Sequence, residues 1–152
     1  MKTAQKIAEK ALLDVLDMIR VGVTERDIAA EITYRLLKHG AEGNSFAPIA
    51  VTGKNSSMPH GVPGDSPVRA GDFITMDYGA VVKGYHSDMT RTVIVGKPTE
   101  RQRLVYDTVL NAQLSGLAAL KDGVSGFEAD KAARDVIAAA GFGDGVAELG
   151  LE

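Results

Sequence analysis

Residues 72–96 read DFITMDYGAVVKGYHSDMTRTVIVG, the pattern of a β-hairpin that carries two carboxylates. The segments 72–82 and 85–95 are rich in Ile, Thr, Tyr, Phe and Val, and Lys83-Gly84 lies between them as the turn. Asp77 and Asp88 are eleven residues apart (88 − 77). A two-residue loop at Val82-Lys83 sets them directly opposite one another. A loop at Lys83-Gly84 instead sets Asp77 opposite Thr90, with Asp88 one diagonal away. Both registers put the carboxylates on one face, about 4.5–8 Å apart, whereas a three-residue loop would put them on opposite faces. Facing carboxylates repel, so a shared proton, a basic side chain or a cation must offset the cost. A plainer alternative stands beside this one: one Asp belongs to a turn and the other pairs with Arg91.

On the N-terminal side, residues 1–20 form an amphipathic helix with Ile7, Ala11, Leu12, Val15 and Ile19 as its apolar stripe. Val21-Gly22-Val23 breaks it, and Thr24 with Asp27 forms a capping pair for a second helix that reaches Lys38. Residues 46–51 are a short strand that Pro48 confines to an edge or bulge. Residues 53–70 hold three prolines, three glycines and His60, and are expected to be a long loop. Beyond the hairpin, Thr99 and Gln102 cap a helix to about Leu120. Ser125 and Glu128 cap another, whose face runs through Ala129, Ala132, Ala133, Val136, Ile137 and Ala140 to Gly141.

The two helix pairs look alike. Gly22-Val23-Thr24 recurs as Gly123-Val124-Ser125 and Gly40 recurs as Gly141, all offset by 101 residues (123 − 22; 141 − 40). A real repeat would be followed by a second set of strands. Only eleven residues follow Gly141 (152 − 141), so that set is expected to be missing and Ala132, Ala133, Val136 and Ile137 to lack part of their cover.

The totals narrow the function classes. At 152 residues the chain suits one domain that buries roughly 70% of its unfolded surface. A net charge of −3 and a pI of about 5.6 argue against a nucleic-acid partner. The chain has no cysteine, which removes disulfides, thiolate metal sites and a cysteine nucleophile. Its apolar runs fall short of the roughly 18 residues of a membrane span, and the charged N-terminus is unlike a signal peptide. A cytoplasmic location without membrane contact is therefore expected.

The order Ser57-Met58-Pro59-His60-Gly61, then Asp77-Tyr78-Gly79, then Gly84-Tyr85-His86-Ser87-Asp88-Met89-Thr90-Arg91-Thr92 resembles the Xaa-Pro aminopeptidases. These belong with prolidases, creatinases and methionine aminopeptidases to the pita-bread metallopeptidases, family M24. The resemblance implies an α+β pita-bread fold, here incomplete: two helices, an antiparallel sheet and two helices, in one partial catalytic domain over residues 1–152. It also implies two divalent metal ions, usually Mn²⁺ or Co²⁺, held by two Asp, one His and two Glu. By that resemblance Asp77 binds one metal, Asp88 bridges both, and His60 is a catalytic residue beside the substrate. Hard oxygen ligands suit such ions.

The departure from the family pattern is as informative as the match. Where the family carries a histidine-containing glycine-rich segment, this chain reads Gly141-Phe142-Gly143-Asp144-Gly145-Val146. No histidine follows His86, and nothing around Glu148 or Glu152 matches the family's two Glu ligands. With two of five ligands present, at most one metal ion is expected. The activity implied is hydrolysis of peptides with proline in the second position, impaired or absent in this chain. The alternative is a catalytically silent half-domain acting through binding or assembly, and a homodimer of two hairpins is a further expectation. His39 is read as structural at a helix C-terminus. His86 shares a face with Asp88 by parity, but no motif requires it.

Overall fold

The computed structural model describes residues 1–143. The chain forms two compact units, Met1–Pro98 and Thr99–Glu152. The first contains helices α1 (Lys2–Leu16) and α2 (Glu25–Lys38), strands β1 (Gly43–Asn44) and β2 (Ile49–Thr52), a 3-10 helix (Gly53–Ser57) and strands β3 (Phe73–Tyr78), β4 (Ala80–Val82), β5 (Tyr85–His86) and β6 (Met89–Ile94). The second contains α3 (Glu100–Ala119) and α4 (Gly126–Ala139). Among the described residues no strand follows β6, and no helix is long and apolar enough to cross a membrane.

The hairpin forms with Lys83-Gly84 as its turn. Both residues have positive φ, 51° and 73°, as a two-residue turn matched to strand twist requires. Val82 pairs with Tyr85 and Phe73 with Ile94, so one register runs the length of the hairpin. The strands are not continuous, however. The tip joins the ladder β1-β4-β5 and the base joins β2-β3-β6, all antiparallel. The break falls at Gly79 and at Ser87-Asp88. There Ala80 donates its N–H to Ser87 Oγ (2.9 Å), and Ser87 donates its own to the Ala80 carbonyl (3.0 Å). A Cβ at Gly79 would overlap the Ser87 carbonyl oxygen, so only glycine lets the strands approach there.

Alternation along β3 divides the sheet into two faces. Ile74, Met76 and Tyr78 are buried, while Phe73, Thr75 and Asp77 are half-covered. The buried face meets Ala4, Ala8, Ala11 and Val15 of α1 and Ile28, Ile32 and Leu36 of α2 in one core. Each large aliphatic side chain buried there stabilises the fold by about 1.5–3 kcal/mol. The Tyr78 hydroxyl donates to the Ala8 carbonyl (3.1 Å), which satisfies its polar end and ties sheet to helix.

Three boundaries differ from expectation. Helix α1 ends at Leu16 rather than Arg20, because Met18 and Ile19 bond to carbonyls three residues back and tighten the last turn. The strand expected at 46–51 begins at Ile49, after Pro48, which has no N–H to give a ladder. The 53–70 segment is more structured than a plain loop. It opens with the 3-10 helix and returns through Val68, which is buried in the core and exchanges backbone bonds with Gly22 and Val23.

In the second unit α3 and α4 pack on each other through small residues. Ser115 Oγ donates to the Ala132 carbonyl (3.1 Å), and Gly116 faces Ala133. Both α2 and α4 are 14 residues long, begin with a capping box and are offset by 101 residues (126 − 25). Uncovered apolar surface is not confined to α4. Ala132, Ala133, Val136 and Ile137 are half-buried, and Tyr106, Val109, Leu110, Leu114 and Leu117 of α3 and Leu120 at its C-cap are exposed. Helical periodicity puts these six on one side of α3, away from the buried Thr108 and Ala112.

Candidate functional site

Asp77 pairs with Thr90 across β3 and β6, which fixes the second of the two registers and leaves Asp88 one diagonal away on the same face. Thr75 and Thr92 occupy the same face, with their hydroxyl oxygens 3.4 Å apart. The opposite face holds Met76, Tyr78 and Met89 in the core. Neither aspartate forms an ion pair among the described residues, and Arg91 donates to the Thr90 carbonyl (2.8 Å). The alternative in which Arg91 pairs one of them therefore does not hold.

The two carboxyls sit in different surroundings. Asp88 is exposed, at the break in the hairpin. Asp77 is half-buried, and its Oδ1 is buried without a hydrogen-bond partner. Burial raises the Asp77 pKa above the usual carboxylate range, and the charge of Asp88 raises it further. A hydrogen bond from Thr90 and the charge of His60 pull the other way. A buried acceptor with no donor, beside a second carboxyl, is a place where a cation removes a standing cost.

The 53–70 segment brings His60 to this face. Thr75 Oγ1 donates to the Ser56 carbonyl (3.4 Å), which lays the 3-10 helix over β3. Val51, whose partner in β3 is Thr75, is covered by Gly61; a Cβ on Gly61 would come within 2.8 Å of Val51 Cγ1. His60, one residue before Gly61, is exposed and within electrostatic reach of Asp77. Asp77 and Asp88 thus lie side by side at the edge of this face, and His60 lies on the segment that crosses it.

His86 is exposed on β5, opposite Val81. His39 caps α2, and its Nε2 lies 2.9 Å from Asp14 Oδ2, in keeping with its structural reading. Glu148 and Glu152 lie outside the described residues. Among the described residues no group of three or more His, Cys, Asp or Glu side chains is placed to hold a metal ion. Among the described residues the two carboxylates of Asp77 and Asp88 are hard oxygen donors of the kind that suits a divalent cation. Sequence reasoning did not find Ser87, which closes the break beside Asp88, although the glycine of Asp77-Tyr78-Gly79 signals a close backbone approach.

Comparison with known proteins places this geometry. The sequence model of metallopeptidase family M24 matches residues 1–150. An uncharacterized peptidase of Bacillus subtilis, YqhT, is 42% identical over 144 residues, covering 95% of this chain and 41% of the relative. The Xaa-Pro dipeptidase of Pyrococcus furiosus is 40% identical over 141 residues, covering 93% and 40%. The crystal structure of an X-Pro aminopeptidase from Thermotoga maritima superposes with a TM-score of 0.91 at 40% identity, covering 94% of this chain and 41% of that one. The chain thus spans about two fifths of the length of these relatives.

Proposed function

This chain belongs to metallopeptidase family M24 and has its α+β pita-bread fold, and from that membership we propose that Asp77 and Asp88 hold a divalent metal ion beside which His60 meets a peptide. The observation that carries the proposal is the buried, unpartnered Asp77 Oδ1 next to Asp88 on one face of the sheet. Family M24 implies a divalent metal cofactor and peptide substrates. The finer assignments belong to the proposal: Mn²⁺ or Co²⁺ as the ion, one ion at most, and proline in the second position of the peptide. The last is supported by relatives named as Xaa-Pro dipeptidases.

A divalent cation at such a site supplies Lewis acidity toward a peptide carbonyl and activates water for attack. The chain's own residues do the rest. Asp77 presents its acceptor oxygens from β3 and Asp88 from the break just before β6, and the Thr75, Thr90 and Thr92 hydroxyls border Asp77 on the same face. His60, on the arc above β3, holds or protonates groups around the scissile bond. Cytoplasmic location is part of the same proposal.

A second reading is a domain that binds or assembles without turnover. The lack of any three-residue ligand group among the described residues favours it for this chain by itself. Calorimetric titration with Mn²⁺ and Co²⁺, beside an assay on a Xaa-Pro peptide, separates the two. One weak site that vanishes in Asp88→Ala, with turnover at background, supports metal binding and silence. Turnover lost in Asp88→Ala would establish a peptidase in this chain and remove the second reading.

A further inference from the structure

Glu25 is the first residue of α2 and is 1% exposed. Its carboxyl accepts three N–H donors: Thr52 backbone N to Oε1 (2.8 Å), Asn55 Nδ2 to Oε1 (3.0 Å) and Gly64 backbone N to Oε2 (3.0 Å). All three belong to the segment that carries His60. Thr52 opens the 52–64 arc, Asn55 lies in its 3-10 helix, and Gly64 closes it. Two backbone bonds reinforce the far end, from Glu25 N to the Ser66 carbonyl (3.1 Å) and from Arg26 N to the Gly64 carbonyl (3.0 Å).

Starting the helix does not require this carboxyl. Thr24 and Asp27 already form the capping box. At the equivalent position of the repeat, α4 begins with Gly126 and has the same kind of box made by Ser125 and Glu128. A buried carboxyl is costly unless donors satisfy it, and here every donor comes from the arc. Between the two clamped ends the chain runs over the face that carries Asp77, with Ser56 on Thr75 and Gly61 on Val51.

We propose that Glu25 is a positioning residue that clamps both ends of the 52–64 arc and thereby sets His60 against Asp77. The inference rests on Asp77, Asp88 and His60 forming one site. Without the clamp the arc keeps its contacts at Ser56 and Gly61 but loses the fixed separation of its ends, and His60 samples positions away from Asp77.

The test uses the 152-residue chain and needs neither metal nor turnover. NMR records the His60 ring resonances in wild type, Glu25→Gln and Glu25→Ala, each with and without Asp77→Asn. A glutamine keeps one acceptor oxygen for Thr52 and Asn55 but turns its amide toward the Gly64 donor, so it removes the side-chain bond at the far end and preserves the rest. In wild type, Asp77→Asn is expected to shift the His60 ring. That response is expected to fall by half or more in Glu25→Gln, a coupling read as a double-mutant cycle. Gly64 amide exchange is expected to accelerate roughly tenfold or more in Glu25→Gln. An equal His60 response in wild type and Glu25→Gln would overturn the clamp even if Tm falls, because Glu25 would then be merely structural. No response to Asp77→Asn in wild type would instead overturn the shared site itself. Should Glu25→Ala not fold, Glu25→Gln alone decides.

Discussion

Asp77 stands directly opposite Thr90 in the β3–β6 ladder, and that pairing places Asp88 one diagonal from Asp77 on the same face. The buried, unpartnered oxygen belongs to Asp77 rather than to the exposed Asp88. Asp77 therefore bears most of the cost when the site holds no cation.

Removing that cost should stabilise the metal-free protein. A like-charge pair on neighbouring strands costs roughly 0.2–1 kcal/mol. Asp77→Asn should therefore raise Tm at neutral pH by a few degrees in the presence of a chelator, since about 1 kcal/mol corresponds to ~2–4 °C at this size. The same substitution should abolish any stabilisation by added Mn²⁺. Differential scanning calorimetry with chelator and with Mn²⁺ reads both effects. A lower Tm in chelator would mean that Asp77 makes a stabilising contact.

Gly79→Ala should be far less tolerated than its size suggests. The new methyl would meet the Ser87 carbonyl and force the strands apart beside Asp88. Overpacking of this kind costs about 1–3 kcal/mol. Urea denaturation should show the loss, and the Asp88 amide shift should move most among residues near the break. A neutral Gly79→Ala would mean that the strands are not closely approached there.

The α1–α2 contact should weaken in acid. Asp14 Oδ2 accepts from His39 Nε2 (2.9 Å) and Arg35 NH1 (3.1 Å). The hydrogen bond from His39, helped by the charge of Arg35, lowers the Asp14 pKa below the usual carboxylate range. A depressed carboxyl pKa contributes stability that is present above the unfolded value and lost as pH falls through the folded one. The wild-type urea midpoint should thus fall below about pH 4 more steeply than that of Asp14→Asn. Parallel slopes would remove Asp14 as a source of acid lability.

The exposed stripe of α3 should govern self-association. Six large apolar side chains, from Tyr106 to Leu120, occupy one face, and contiguous apolar surface of this kind marks an interface or an aggregation liability. Leu110→Lys with Leu117→Lys should leave the helical circular dichroism unchanged and lower the mass seen by light scattering at high concentration. Unchanged association would place any dimer contact elsewhere.

How much of this was legible in the sequence depended on whether the signal was local. The hairpin, its turn and the shared face of Asp77 and Asp88 follow from strand formers around Lys83-Gly84 and from the two-residue period of a strand. Both capping boxes of the helices beyond the hairpin were readable for the same reason. The choice between registers lay in the backbone of the turn, which residue types alone left open. Positive φ at both Lys83 and Gly84 decided it. Glu25 was invisible, because its partners at Thr52, Asn55 and Gly64 are 27 to 39 residues away. The exposed stripe on α3 was not read from the sequence, because periodicity shows an apolar face without showing which neighbour covers it.

The most direct test of the shared site is the titration of the Asp77 side-chain carboxyl by carbon-detected NMR. It should be run in wild type and Asp88→Asn, without metal and with Mg²⁺ as a diamagnetic probe. The expected result is a metal-free Asp77 pKa above the ordinary carboxylate range, falling when Asp88 is neutralised and falling again when Mg²⁺ is added. An Asp77 pKa within the ordinary range, unmoved by Asp88→Asn and by Mg²⁺, would contradict a metal site built on these two aspartates.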